Sequence, residues 1–155
     1  MNLLQTATGG RMPAEVVQME PQEIDEFGQR FEFDWQALTG CEIYALRLNR
    51  ERLVVGMMAL KNIPDELRIE IVLLESSREN VGRLKTYERI AGCLIGFACR
   101  LAFMRGYFGF VSLIPKTRLI EHYTAMYGFE QYGRHLAIDM ERSQQLIEKY
   151  LSDER

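Results

Sequence analysis

The sequence predicts an α+β domain with a mixed, mostly antiparallel sheet flanked by helices. Residues 42–48, 53–60 and 67–74 are apolar, β-branched runs separated by short turn-forming segments, the pattern of an antiparallel meander. The following segment repeats apolar residues at Leu84, Tyr87, Ala91, Leu94, Ala98 and Leu101, and a spacing of three and four lines one face of a helix. A strand pattern at 107–114 comes next, and strand, long helix and strand together form a crossover that sets the two strands roughly parallel.

Each element has a local reason. Residues 1–11 are polar around Gly9 and Gly10, so a loose N-terminus is expected. Residues 13–19 alternate enough for a short strand, which Pro21 ends, and the acidic stretch 22–29 reads as loop or short helix. Residues 31–35 gather Phe31, Phe33 and Trp35. They read either as a hydrophobic plug against a core edge or, for Phe33 and Trp35, as the lining of a substrate pocket. Turns at 49–51 and 62–65 separate the meander strands. The long helix closes at Gly106, a residue suited to a helix C-terminus. A short helix at 118–126 ends before Gly128, a last strand spans 134–140, and Ser143 is the expected N-cap of a terminal helix reaching Leu151.

Composition bounds the function. The 155 residues are expected to be a single domain, and an apolar share of 47% is ordinary for a globular protein. A net charge of −3 gives no reason to expect nucleic acid as the main partner. The longest apolar run, 90–99, is about half a membrane span, and the N-terminus lacks a basic segment and apolar core, so neither a membrane segment nor a signal peptide is expected. The three cysteines form no CxxC or Cys/His cluster, which favours free thiols in a reducing cytoplasm and argues against a metal.

The chemistry centres on residues 75–85, ESSRENVGRLK. A polar loop that opens a helix aims backbone N–H groups and the positive end of the helix dipole at one point, which suits an anion such as a pyrophosphate. Arg83 and Lys85 are disfavoured at a helix start unless an anion meets them there or they form a solvated face. Gly92 and Gly96 stand four apart and read as small residues for close helix packing on the sheet. Glu70 shares a strand face with Arg68, which reads first as an ion pair. His122 reads as a surface residue, and His135 is assigned no role.

Over residues 42–140 the order of elements resembles the GNAT (Gcn5-related) N-acetyltransferase family. So does the segment 117–129, TRLIEHYTAMYGF, with Thr117 at its start, Tyr123 within it and Gly128-Phe129 at its end. The loop 78–84, RENVGRL, is similar to the family's Gln/Arg-x-x-Gly-x-Gly/Ala loop, with its glycine one position late and the second small residue missing. Tyr123 stands five residues before Gly128, one more than is usual in the family. The resemblance implies a GNAT-like fold in which acetyl-CoA enters between two splayed strands as co-substrate. Leu74, Ser76, Asn80, Val81, Gly82 and Thr117 would then contact the cofactor, with Arg78, Arg83 and Lys85 on its phosphates.

The resemblance also implies direct attack by an amine on the thioester. Tyr123 would protonate the departing thiolate, and Glu70 or Glu75 would take the amine's proton. The expected function is an N-acyltransferase, here an N-acetyltransferase, acting on a small-molecule or peptide amine; domains of this family often form homodimers. The alternatives are a catalytically inactive scaffold that binds a small molecule or protein, and a toxin-like acetyltransferase acting on aminoacyl-tRNA, which the negative charge disfavours.

Overall fold

The computed structural model describes residues 1–82, 85–115 and 120–152, apart from the side chains of residues 21 and 25–28. Apolar alternation organises its centre, where strands β3 (Glu42–Leu48), β4 (Val54–Ile63) and β5 (Arg68–Ser76) pair antiparallel as the expected meander. Strand β2 (Arg11–Met19) pairs with β3 on the far side. The crossover also forms: β5 leads through helix α1 (Ile90–Met104) to strand β7 (Val111–Leu113), which pairs parallel to β5. Strands β8 (Glu130–Tyr132) and β9 (His135–Ile138) complete that end, after helix α2 (Ile120–Tyr127) and before helix α3 (Met140–Leu151). Together with β1 (Asn2–Gln5) and β6 (Tyr87–Glu88), the described strands make a mixed, mostly antiparallel nine-stranded sheet in the order β6-β1-β2-β3-β4-β5-β7-β9-β8.

Two cores flank this sheet. On one face α1 packs over the centre, with Cys93, Leu94, Ile95, Ala98 and Cys99 fully buried against Leu46, Met58, Leu60 and Ile69. Helix α3 lies against α1, and Gly92 makes that approach possible, because a Cβ there would come within 2.1 Å of the Tyr150 ring. The two helical glycines thus serve helix–helix contact with α3, where close approach to the sheet was expected. On the other face a 3₁₀ segment, Pro21–Arg30, and the turn at Trp35–Ala37 cover Ile43, Ala45, Met57 and Ala59, with Phe31 and Trp35 as their anchors.

Several boundaries depart from the sequence expectation for long-range reasons. Residues 2–5 are no loose tail: Leu3 is fully buried and β1 is held between β2 and β6. The long helix does not open directly from the loop. Residues 87–88 are drawn into β6 by pairing with β1, so α1 starts only at Ile90. Strand β7 is shorter than 107–114 because Phe108 and Gly109 adopt positive φ and form a turn. The last strand is one arm of a hairpin, with β8 as the arm that was not anticipated. Asp139, not Ser143, caps α3 by accepting a bond from Arg142 N at 3.2 Å, while Ser143 is buried within the helix.

Strand β5 carries one surplus residue. Ala59 pairs with Leu73 and Leu60 with Ile71, leaving Val72 as a bulge. The surplus resets the alternation: Ile69, Ile71 and Leu74 face the α1 side, whereas Leu73 turns to the opposite core.

Candidate functional site

The site begins where the parallel seam ends. The pairing of β5 with β7 runs through Ile69–Val111, Glu70–Ser112 and Ile71–Leu113 and then stops, just before the bulge. A bulge strengthens local twist and bends its strand. On the β7 side Pro115 lies two residues past the last pair and has no N–H to extend a ladder. Residues 72–76 of β5 therefore continue past β7, and among the described residues no strand pairs with that edge, which leaves it open to an extended ligand chain.

Beyond this edge lies a pocket of about 410 Å³ on the α1 face, lined by Ser76, Asn80, Lys85, Arg89, Tyr127 and Lys149 among others. Helix α1 points its N-terminus into it. The cap position is Arg89, in the left-handed region at φ 79°, and no side chain caps the helix. The first-turn amides have no intrahelical acceptor, and the dipole adds positive potential. Arg89 spans the pocket wall: one terminal nitrogen donates to the Lys149 carbonyl at 2.6 Å, and the guanidinium lies 5.0 Å over the Tyr150 ring. Its Nε is buried without a hydrogen-bond partner among the described residues. An orphaned guanidinium N–H beside an uncapped helix and two lysines is an arrangement fit for a phosphate, with Glu88 as the one opposing carboxylate among the described lining residues.

The loop 76–82 contributes less than expected. Its amides at Ser77, Asn80 and Val81 donate to the carbonyls of Val55, Ser77 and Arg78. The Asn80 side chain is buried, donating to Ser77 Oγ at 2.8 Å and accepting from Tyr87 N at 2.9 Å, so it holds β6 in place. Arg78 turns the other way and donates to the Phe31 carbonyl at 3.3 Å. Val81 and Gly82 form an exposed tip, Leu74 packs into the core beneath the pocket, and Ser76 and Lys85 line it. Arg83 and Thr117 lie outside the described residues. Arg89 and Lys149, which complete the basic rim, were not singled out from sequence; the signal was an arginine directly before an apolar helix that lacks any capping residue type.

The two candidate bases differ sharply in surroundings. Glu75 Oε1 accepts from Trp35 Nε1 at 2.8 Å and Phe33 N at 3.3 Å, and Oε2 accepts from Glu32 N at 2.5 Å. It is tied up in holding segment 31–35 to the sheet. Trp35, 2% exposed, is a core anchor where pocket lining was one expectation; Phe33 remains 45% exposed. Glu70 instead lies behind a groove of about 280 Å³ along β7 and β9 that Arg68, Ser112 and His135 line, with Arg68 Nη1 3.1 Å and His135 Nε2 3.3 Å from its Oε1. Arg68 also donates to Glu66 Oε1 at 2.7 Å and to Ser112 Oγ at 2.6 Å. Burial works against the Arg68 charge, but the bonds to Glu66 and Glu70 outweigh it and hold its ionisation above the usual range.

On α2, Tyr123 is half-buried against Tyr127 and Phe129, with ring centroids 6.2 and 5.8 Å away. Burial pushes its phenol up, which keeps it a proton donor across the neutral range. Burial likewise pushes the Cys93 thiol up to about 11 and Cys99 to about 12, so neither offers a thiolate nucleophile. Among the described residues no cluster of His, Cys, Asp or Glu could hold a metal ion, and no helix is long and apolar enough to cross a membrane.

No protein-family model matches the chain, and no curated protein matches it in sequence. Solved structures do match in shape. The spermidine/spermine N-acetyltransferase SpeG of Vibrio cholerae superposes with a TM-score of 0.61 at 11% identity, over 85% of this chain and 96% of that one. AtaTR bound with AcCoA gives 0.60 at 15% identity, over 86% and 97%. The IAA acetyltransferase of Bacillus cereus gives 0.60 at 13% identity, over 82% and 99%. The chain has the GNAT acetyltransferase fold.

Proposed function

We propose that this GNAT-fold protein is an acyl-CoA-dependent N-acyltransferase that moves an acetyl group from acetyl-CoA to an amine by direct attack. The observation that carries the reading is the conjunction of a free β5 edge with a basic, uncapped α1 N-terminus beside it. A pantetheine arm needs an extended peptide-like edge, and its pyrophosphate needs N–H donors and cations next to that edge. In this reading Arg89, Lys85, Lys149 and the first-turn amides of α1 hold the phosphates, with Ser76 and Asn80 forming the wall. That a protein of the same fold has been solved with AcCoA bound supports the choice of cofactor.

The chemistry then needs an acid and a base. Tyr123 protonates the thiolate as it leaves, and the amine loses its proton on the side of the sheet that carries Glu70, because Glu75 is committed to three N–H donors. The acceptor is a small-molecule or peptide amine that enters from the face carrying Phe33. No metal takes part, and the three free cysteines suit work in a reducing cytoplasm. Because the loop's own amides are used internally, a binding scaffold without catalysis is the second reading.

Calorimetric titration with acetyl-CoA tests the proposal. Wild type should bind, and Arg89→Asn and Lys149→Gln should each weaken binding about tenfold, the scale of one charge-assisted hydrogen bond. Asn suits the left-handed position of Arg89. Val81→Glu, at the exposed tip, should leave affinity unchanged. Absent binding by folded wild type refutes the enzyme reading, and loss of binding in Val81→Glu alone returns the phosphates to the loop.

A further inference from the structure

The groove on the sheet face opposite α1 is lined by a histidine, His135, that has no role in the reaction as described so far. Glu70 and Ser112 are the penultimate pair of the β5–β7 seam, one step before the strands part. His135 is the first residue of β9, immediately beyond the pair that joins Leu136 to Leu113, the last β7 residue of the seam. Its ring thus stands at the mouth of the split, with Nε2 3.3 Å from Glu70 Oε1. The side chain is 36% exposed, while Glu70 beneath it is only 16% exposed.

The groups around the ring are few. Strand β5 supplies Arg68 and Glu70, the turn before it Glu66, β7 the hydroxyl of Ser112, and β8 the phenol of Tyr132. Arg68 is bonded to two carboxylates at once, so with neutral imidazole the cluster carries a formal charge of about −1. Such a groove favours a cationic ligand over an anionic one. An ammonium acceptor, however, has no lone pair with which to attack until a base takes its proton.

We propose that His135 is the general base for the acceptor amine, with Glu70 as the positioning residue that orients the imidazole. This rests on the acyltransferase reading above. With the Nε2 proton directed at Glu70, the Nδ1 lone pair takes a proton from the bound ammonium; the nitrogen lone pair so freed forms the new C–N bond at the thioester carbonyl, and the nitrogen's second proton passes to water. The C–S bond then breaks, and the thiolate takes a proton from Tyr123, whose own proton is restored from solvent. The imidazolium, held against Glu70, returns its proton to water. The net change is thioester plus ammonium to amide plus thiol plus one proton released to solvent. The acceptors that fit are primary amines without a neighbouring carboxylate.

The test measures thiol release from acetyl-CoA with 1,3-diaminopropane, n-butylamine and lysine methyl ester, over a range of pH. Wild type, His135→Ala, His135→Gln and Glu70→Gln are compared, with acetyl-CoA affinity and melting temperature as controls. His135→Ala should keep its melting temperature and cofactor affinity, lose at least about a hundredfold in kcat, and regain part of it on addition of free imidazole. His135→Gln, which preserves the bond to Glu70, should be as slow as His135→Ala. Glu70→Gln should lose about tenfold and keep a histidine-dependent pH profile. Wild-type rates in His135→Ala, or no rescue by imidazole, overturn the base assignment while leaving the acyltransferase standing. Acetyl-CoA binding with no transfer by wild type to any of the three amines overturns both.

Discussion

Glu75 links the sheet to segment 31–35 through three N–H donors, and removing it has a calculable effect. In Glu75→Ala the indole N–H of Trp35 loses its acceptor in a setting where the side chain is 2% exposed. An unsatisfied buried donor costs about 1–3 kcal/mol. The two backbone N–H groups lie at exposed positions and turn to water, adding only a few tenths. The expected loss is therefore about 2 kcal/mol, which lowers the melting temperature of a domain of this size by about 4–8 °C. Trp35→Phe removes the donor and leaves the carboxylate its other two partners, so it should cost less through this bond. The double variant should then recover a coupling of about 1 kcal/mol, read by urea unfolding followed by circular dichroism. Additive losses would mean that carboxylate and indole act independently, and the assignment of Glu75 as a tether would fall.

Three further outcomes follow from the same geometry. Gly92→Ala drives a methyl into the Tyr150 ring and should cost about 1–3 kcal/mol, part of it restored by Tyr150→Leu; equal melting temperatures for wild type and Gly92→Ala would contradict the close α1–α3 approach. Tyr123→Phe should slow turnover by a factor on the order of ten to a thousand with acetyl-CoA affinity intact, and unchanged turnover removes Tyr123 as the acid. The third concerns acid stability. Burial raises the Glu42 carboxyl, but hydrogen bonds from Arg105 and Tyr44 and the Arg105 charge outweigh it and hold the group below its usual 4.5. A carboxyl lowered on folding contributes stability that is full above about that value and fades as pH falls through the folded value. The stability gap between wild type and Glu42→Gln should thus narrow below pH 4.5; a gap that widens on acidification refutes the ion pair's role.

The meander, the crossover and the α2 segment were legible because each depends on local periodicity. What escaped was set by distant partners. Tyr87 fits the helical spacing of α1, yet pairing with Gln5 and a bond to Asn80 draw it into β6, so tertiary contact overrides the local pattern. The basic rim joins Arg89 to Lys149, residues sixty apart that meet only because α3 docks on α1. His135 carried no local signal at all; its neighbour Glu70 comes from 65 positions earlier. Trp35 was readable as an anchor from its company of aromatics, whereas its acceptor Glu75 was not, since nothing near Glu75 in the chain announces an indole. Asp139 was readable: a capping residue type stood at the start of the apolar pattern of α3, four places before the serine that was favoured.

Val72 separates two properties that usually travel together. Without it, Ile71 would be followed directly by Leu73 and Leu74, and every remaining side chain of β5 would keep its present face. A shortened chain lacking only this residue would therefore retain both hydrophobic cores while losing the bend that ends the seam with β7. The opening between β5 and β7 depends on the length of one strand, with Pro115 on the other side as the second contributor. A lineage could close or reopen it by a single codon's deletion or insertion, leaving the rest of the domain untouched.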